Sequence, residues 1–316
     1  MKVLIPQDVN ESGKSYLRSK GYEVVLGSGF DVETIKREIV DADALLARTA
    51  PYPAEVIAAG KKLKVIARYG VGTDNIDVKF AESQGVWVTI TKGANAVSVA
   101  EHTITLMLAC AKNIVYLDEQ TRQNHFEMRN KVPGIELRGK TLGIVGLGAI
   151  GREVADIAHN GLKMEIVGYD AFLPAGLPDY IKVVSSPEEV FKAADVISLH
   201  VPSTPETVNM VCERTIGMMK PNAIIVNCAR GGIVNEADLY KALKAHRIAG
   251  AGLDVFLSEP PEEDNKLFEL SNFVCSPHNA ALTAEAGAAM SLSCAHAIDD
   301  VLSGRKPQFP INNPVK

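Results

Sequence analysis

Along the first hundred residues, short apolar runs alternate with longer mixed stretches of helical size. The runs fall at residues 3–5, 23–26, 44–47, 64–67 and 86–90, with helix-length stretches at 9–19, 32–39 and 53–59 between them. This alternation predicts a small parallel sheet covered by helices. Ser98-Val99-Ala100-Glu101 has the form of a capping box and predicts a long apolar helix reaching about Val115. From Asp118 to Arg138 the pattern turns polar and aperiodic, with Arg122, Arg129, Lys131 and Pro133, which predicts an arm or an interface. Strand-like runs resume at 142–145, 164–169, 183–184, 196–201, 223–227, 250–255 and 273–276. Residues 285–302 read as one helix ahead of a Pro-rich tail, expected to return to the first domain.

The chain of 316 residues suits two domains rather than one core. Its 47% hydrophobic and 22% charged residues describe an ordinary soluble globular protein. The net charge of -5 argues against nucleic acid and anionic membranes as partners. No apolar stretch approaches the ~20 residues needed to span a bilayer, and the first six residues do not form a signal peptide. Five cysteines, scattered and without a CxxC, indicate neither a disulfide framework nor zinc, so no metal is expected. These features predict a cytoplasmic location.

Candidate chemistry begins at Gly146-Leu147-Gly148-Ala149-Ile150-Gly151, at the end of an apolar run. Ile150, Val154, Ile157 and Ala158 form a helical stripe behind it, and Asp170 follows Gly151 by 19 residues after a second run. This is the order of a dinucleotide-binding unit, in which glycines admit a pyrophosphate and the acid holds a ribose. The first hundred residues carry no GxGxxG. A carboxylate repels a 2′-phosphate, and Ala171 and Phe172 supply no cation for one, so NAD is expected rather than NADP.

Three further segments each place a reactive group just beyond a strand. Val226-Asn227-Cys228-Ala229-Arg230-Gly231-Gly232 offers an arginine fork suited to a carboxylate. Leu253-Asp254-Val255-Phe256 leads to Ser258-Glu259-Pro260-Pro261, and Ser276-Pro277-His278-Asn279-Ala280 carries a histidine. A carboxylate that orients an imidazole is common equipment for moving protons at neutral pH.

Taken in order, the glycine motif with Asp170, His200-Val201-Pro202-Ser203-Thr204, the Arg230 and Glu259 segments and Pro277-His278 resemble the D-isomer-specific 2-hydroxyacid dehydrogenases over essentially the whole chain. The resemblance implies an α/β fold of two doubly wound domains. A flavodoxin-like substrate domain (1–97 with 285–316) would join a Rossmann NAD-binding domain (98–284), with the active site in the cleft between them. It implies hydride transfer between NAD and a small D-2-hydroxy or 2-oxo acid. In that chemistry Arg230 binds the substrate carboxylate and carbonyl, His278 gives and takes the proton, and Glu259 holds His278. Ala149 and Ile150 would lie under the pyrophosphate, and Cys228, Ala229 and Arg230 would line the nicotinamide. Asp254 would hold the carboxamide, and His200, Val201, Pro202, Thr207 and Ala280 would complete the cofactor site. Where some relatives carry Arg or Lys, this chain has Ala149, which removes one phosphate contact but not the backbone ones.

Arg68-Tyr69-Gly70-Val71-Gly72-Thr73-Asp74-Asn75 is similar to the family's carboxylate-binding loop, with Val71 and Gly72 as the binding backbone. Segment 118–138 would pack across a second copy, giving a homodimer or dimer of dimers. Within the family the resemblance is strongest to the catalytic core of D-3-phosphoglycerate dehydrogenases, where Arg48 and Arg68 would surround a substrate phosphate; surface or interdomain ion pairing explains both arginines equally well. A chain ending at residue 316 would have no serine-sensing domain. The same site suits hydroxypyruvate or glyoxylate reduction, and a non-catalytic NAD sensor of the corepressor type keeps the same Arg-Glu-His set.

Overall fold

The computed structural model describes residues 1–314, and the chain forms two compact units, residues 1–95 with 282 onward, and 96–281. The first unit has a five-stranded parallel sheet of β1 (Lys2–Ile5), β2 (Glu23–Leu26), β3 (Ala44–Ala47), β4 (Val65–Arg68) and β5 (Trp87–Thr89). Its order, β2-β1-β3-β4-β5, is the flavodoxin-like one. Alternation along the strands feeds two cores. Leu45 and Ile66 pack on one face with Ile35, Val56 and Ile57 of helices α2 (Val32–Glu38) and α3 (Ala54–Ala59). Leu46, Val65 and Ala67 pack on the other with Leu17 of α1 (Glu11–Ser19) and Cys294, Ala295 and Ile298 of α11 (Ala284–Leu302). The loop 70–77 leads into a short helix, α4 (Val78–Ser83).

Side-chain caps start most of these helices. Asn10 accepts from the Ser12 N–H, Asp31 from Thr34, Asp77 from Phe80 and Thr283 from Ala286, each stabilising by ~1 kcal/mol. Asp299 ties α11 to the first βα unit: it accepts from Tyr22 Oη at 2.8 Å, Tyr16 Oη at 3.2 Å and Arg305 Nη2 at 2.9 Å. The Pro-rich tail closes the open edge of the sheet, with the Ile311 N–H on the Val88 carbonyl and the Val88 N–H on Asn312 Oδ1.

The second unit carries a seven-stranded sheet, parallel in every pairing. Its strands are β6 (Thr141–Val145), β7 (Glu165–Tyr169), β8 (Ile181–Val183), β9 (Val196–Leu199), β10 (Ile224–Asn227), β11 (Gly250–Leu253) and β12 (Phe273–Cys275). The order β12-β11-β10-β9-β6-β7-β8 reverses direction at β6, the doubly wound Rossmann arrangement with one added strand. One face is covered by α8 (Pro187–Ala193), α9 (Glu213–Ile216) and α10 (Glu236–Lys244), and the other by α5 (Ala96–Lys112) and α7 (Ala149–Asp156).

Two local expectations are corrected. The helix expected to open at Ser98 begins at Ala96, and Ser98 lies buried in its first turn, so the capping-box reading fails. That helix stops at Lys112 because Asn113 is left-handed (φ 51°), and a separate helix, α6 (Ile114–Arg122), takes up the start of the segment read as aperiodic. Nothing in α6 is buried, and Ile114 and Val115 are more than half exposed. Within it, charged side chains such as the exposed i,i+4 pair Asp118–Arg122 mask any apolar periodicity. No helix among the described residues is long and apolar enough to cross a membrane.

Candidate active site

The glycine fingerprint forms the turn from β6 into α7. Gly146 has φ 102°, a conformation that favours glycine, and a Cβ there would run into the His200 carbonyl. A Cβ on Gly151 would collide with the Gly146 carbonyl, so the third glycine is needed for close packing. Gly148 differs: a Cβ there would meet nothing within 4 Å. No contact inside the protein requires that glycine, as expected where backbone must approach a ligand. The N–H groups of Ala149, Ile150 and Gly151 have no partner among the described residues, so the helix end offers unsatisfied donors for an anion.

Asp170 stands directly after β7 and accepts the Leu147 N–H at 2.7 Å on Oδ2 and the Phe172 N–H at 2.8 Å on Oδ1. It therefore fixes the glycine turn against the next strand while keeping lone pairs for a ribose diol. His200 Nε2 lies 2.8 Å from Ser198 Oγ, and desolvation pushes the ring's pKa down to about 4, so it is neutral at pH 7. Its Nδ1 is buried without a partner among the described residues. An orphaned polar atom beside an open glycine turn fits a site completed by a bound group. In the loop after β9, Thr207 Oγ1 donates to the Pro202 carbonyl at 2.6 Å and accepts from the Thr204 N–H at 2.8 Å, so it staples Val201 and Pro202 in place. These residues fit a dinucleotide.

The reactive groups emerge from three adjacent strands. β10 pairs with β11 and β11 with β12, in a register that aligns Asn227 with Leu253 and Leu253 with Cys275. Parallel neighbours lie about 4.8 Å apart, so the groups just past these ends share one end of the sheet. Gly231 allows the β10 turn to touch the next one, since any Cβ would overlap the Phe256 carbonyl. Asn227 shapes the turn, donating to the Arg230 carbonyl at 2.9 Å and accepting the Ala229 N–H at 3.0 Å. Arg230 Nη1 donates to the Ala229 carbonyl at 2.6 Å. Burial pushes the Cys228 thiol up to about 12, which leaves it protonated and unreactive.

Glu259 Oε2 lies 2.7 Å from His278 Nδ1, and Glu259 Oε1 accepts the Phe256 N–H at 3.1 Å. An ionised carboxylate only accepts, so the histidine hydrogen sits on Nδ1 and Nε2 is left for chemistry outside the pair. Both side chains are about half exposed, as a site open to solvent and substrate requires.

Asp254 is wholly buried, and its oxygens are already engaged. Oδ1 accepts from Ser276 Oγ at 2.6 Å and the Asn279 N–H at 3.0 Å, and Oδ2 accepts the Ala280 N–H at 3.0 Å. Asp254 therefore holds the histidine loop first, and the Ala280 N–H faces inward to it. Sequence reasoning missed His102 on α5, whose Nε2 is 2.7 Å from Ser276 Oγ. A lone histidine inside an apolar helix gave no signal, because its partner stands 174 positions away.

In the first unit, Arg68 turns back on its own loop: Nε donates to the Gly72 carbonyl at 2.7 Å, and Nη1 bonds the Tyr69 carbonyl. Arg48 donates to the Asp8 carbonyl at 2.7 Å and lies over the Tyr69 ring. The Val71 and Gly72 N–H groups have no partner among the described residues.

A family model described as D-isomer specific 2-hydroxyacid dehydrogenase, NAD binding domain, matches residues 104–280. The chain belongs to this family. It is 41% identical over 316 residues to a D-3-phosphoglycerate dehydrogenase of Archaeoglobus fulgidus, covering 99% of this chain and 60% of that one. It is 40% identical over 290 residues to a hydroxypyruvate reductase of Thermotoga maritima, covering 90% of this chain and 93% of that one. The solved structure of the TT0316 protein from Thermus thermophilus matches with a TM-score of 0.91 at 34% identity, over 98% of this chain and 100% of that one. The chain spans about 60% of the length of the archaeal D-3-phosphoglycerate dehydrogenases it matches. As a member of the D-2-hydroxyacid dehydrogenase family, it carries an NAD-binding domain in which Arg230, Glu259 and His278 all stand at the carboxyl end of the sheet.

Proposed function

We propose that the chain is an NAD-linked D-2-hydroxyacid dehydrogenase acting on a small 2-oxo or 2-hydroxy acid. The Glu259–His278 pair, held at 2.7 Å on the strand end beside Arg230's, carries this reading. The N–H groups of Ala149, Ile150 and Gly151 would hold the pyrophosphate and Asp170 the ribose. When bound, NAD supplies or accepts the hydride exchanged with the substrate carbon. Arg230 binds the carboxylate and polarises the carbonyl oxygen through its planar fork. Glu259 takes the Nδ1 hydrogen of His278 as a hydrogen bond and stabilises the imidazolium, so His278 Nε2 gives the proton to that oxygen or removes it in the reverse direction. In the first unit, the open N–H groups of Val71 and Gly72 support a role in binding a carboxylate.

The favoured substrate pair is 3-phosphoglycerate and 3-phosphohydroxypyruvate, supported by the 41% identity to D-3-phosphoglycerate dehydrogenases over nearly the whole chain. Hydroxypyruvate reduction is the second reading. It is favoured by the carbonyl bonds that draw Arg68 onto its own loop and by a relative named for that activity that is 40% identical over 290 residues. Free thiols at all five cysteines suit a reducing, cytoplasmic setting. The exposed apolar residues Ile114, Val115 and Phe126 support an arm that pairs two copies.

A panel of 3-phosphohydroxypyruvate, hydroxypyruvate, glyoxylate, 2-oxoisocaproate and pyruvate, each with NADH and NADPH, tests the reading. No advantage of 3-phosphohydroxypyruvate over hydroxypyruvate refutes the phosphate role of Arg48 and Arg68. His278→Ala should nearly abolish turnover while NADH binding survives, and a variant that keeps most of the rate refutes His278 as the acid. Absence of turnover on every acid with NADH binding intact favours a cofactor sensor instead.

A further inference from the structure

We propose that His102 is a positioning residue, acting through Ser276 and Asp254 on the loop that presents His278. The inference rests on the dehydrogenase reading above for its kinetic consequence, but its geometry stands alone. Asp254 is a buried carboxylate and can only accept. Ser276 Oγ, 2.6 Å from Asp254 Oδ1, must therefore donate its single hydrogen there. With that hydrogen committed, Ser276 can only accept from His102, 2.7 Å away, so His102 carries its hydrogen on Nε2. The result is a one-way chain of donors, His102 Nε2–H to Ser276 Oγ–H to Asp254 Oδ1, in which each bond polarises the next. The imidazole nitrogen also stands 3.5 Å from the same carboxylate oxygen.

Asp254 passes this restraint to the loop. Its carboxylate takes the N–H groups of Asn279 and Ala280, at 3.0 Å each, and its carbonyl takes the His278 N–H at 2.8 Å. The residue so gripped has φ 50°, a left-handed conformation uncommon for a residue with a Cβ and held only when neighbours over-determine it. His102 sits on a helix that packs against β10, β11 and β12, so it braces the loop from a rigid element. Loss of the Nε2 donor slackens the grip on Asp254 and with it the alignment of His278.

The test compares His102→Leu, which removes the donor, with His102→Gln, whose amide nitrogen can stand near the Nε2 place. His102→Leu should lower kcat about tenfold, while KM for NADH stays within about twofold. His102→Gln should recover most of that loss. Amide hydrogen exchange of the unliganded chain at Asn279 and Ala280 should quicken about tenfold in the Leu variant and not in the Gln variant. Ser276→Ala breaks the same chain at its other joint, so the double variant with His102→Leu should be no slower than the worse single one. Unchanged exchange and kinetics in His102→Leu, or equal damage by Leu and Gln, overturns the proposal. If His102→Leu does not fold, wild-type exchange at both amides in Ser276→Ala overturns it. A wild-type chain without turnover would overturn the dehydrogenase reading, and the exchange contrast would still decide this one.

Discussion

Replacing Glu259 by Gln changes one atom and poses a hydrogen-bonding conflict that the site cannot resolve. In the wild-type chain, Oε1 accepts the Phe256 N–H at 3.1 Å and Oε2 accepts from His278 Nδ1 at 2.7 Å. Both neighbours are donors, so a carboxylate satisfies both and an amide only one. If the Gln oxygen faces His278, its NH2 opposes the Phe256 N–H. If it faces Phe256, its NH2 meets Nδ1 and drives the histidine hydrogen to Nε2, the atom proposed to take the substrate proton. The lost charge adds to this. Unit charges 2.7 Å apart attract by about 1.5 kcal/mol in bulk water and about 6 kcal/mol at an effective dielectric of ~20. With side chains 48% and 38% exposed, solvent screening puts the loss near the lower bound, about 2 kcal/mol or thirtyfold in kcat. Steady-state rates in both directions at pH 7, with NADH affinity measured alongside, test this. The reasoning is refuted if both rates stay within about twofold of wild type.

Asp170→Ala leaves the Leu147 and Phe172 N–H groups without their acceptor and, on the proposed reading, removes the charge that would repel a ribose 2′-phosphate. The ratio of NADPH to NADH affinity, measured by fluorescence titration, should rise at least about tenfold, and an unchanged ratio assigns the preference elsewhere. At Asp299, burial pushes the carboxyl up, but bonds from Tyr22, Arg305 and Tyr16 outweigh it and hold the group below the ordinary 3.8. A depressed folded value means that its stabilisation is full above that ordinary value and is lost as pH falls through the folded one. Asp299→Asn should therefore cost about 1–2 kcal/mol at pH 7 by urea unfolding, with the gap from wild type closing as pH falls below 3.8. A gap that does not narrow with falling pH contradicts the linkage.

Much of this architecture is legible in the chain because its causes are local. Strand runs of the first unit reappear within a residue or two, since apolar runs of that length between turn residues have few other uses in a parallel sheet. Helices α8 and α9, of seven and four residues, are too short to show a period, whereas α10 carries one, with Leu239, Ala242 and Leu243 buried behind the Asn235 cap. The Gly146–Gly151 turn is legible for a stronger reason: steric demands at Gly146 and Gly151 leave no other residue type, so the constraint is written in the residue itself.

The site divides along the same line. Arg230, Glu259 and His278 follow strands that can be read from pattern, so their convergence at one sheet end follows from the order of the chain. What holds them does not. The family resemblance implies a cofactor contact for Asp254, and its three bonds to Ser276, Asn279 and Ala280 add a clamp that residue type and spacing do not show. The family resemblance implies that Arg68 is a phosphate ligand, and its Nε turns to the Gly72 carbonyl four residues on. In both cases residue type and position name a group able to bind, while competition from nearby backbone decides where its polar atoms go. Reactive side chains in this fold are thus readable from sequence as an inventory. Their availability depends on hydrogen-bond saturation, a property of partners up to 174 residues away, such as His102 and Ser276.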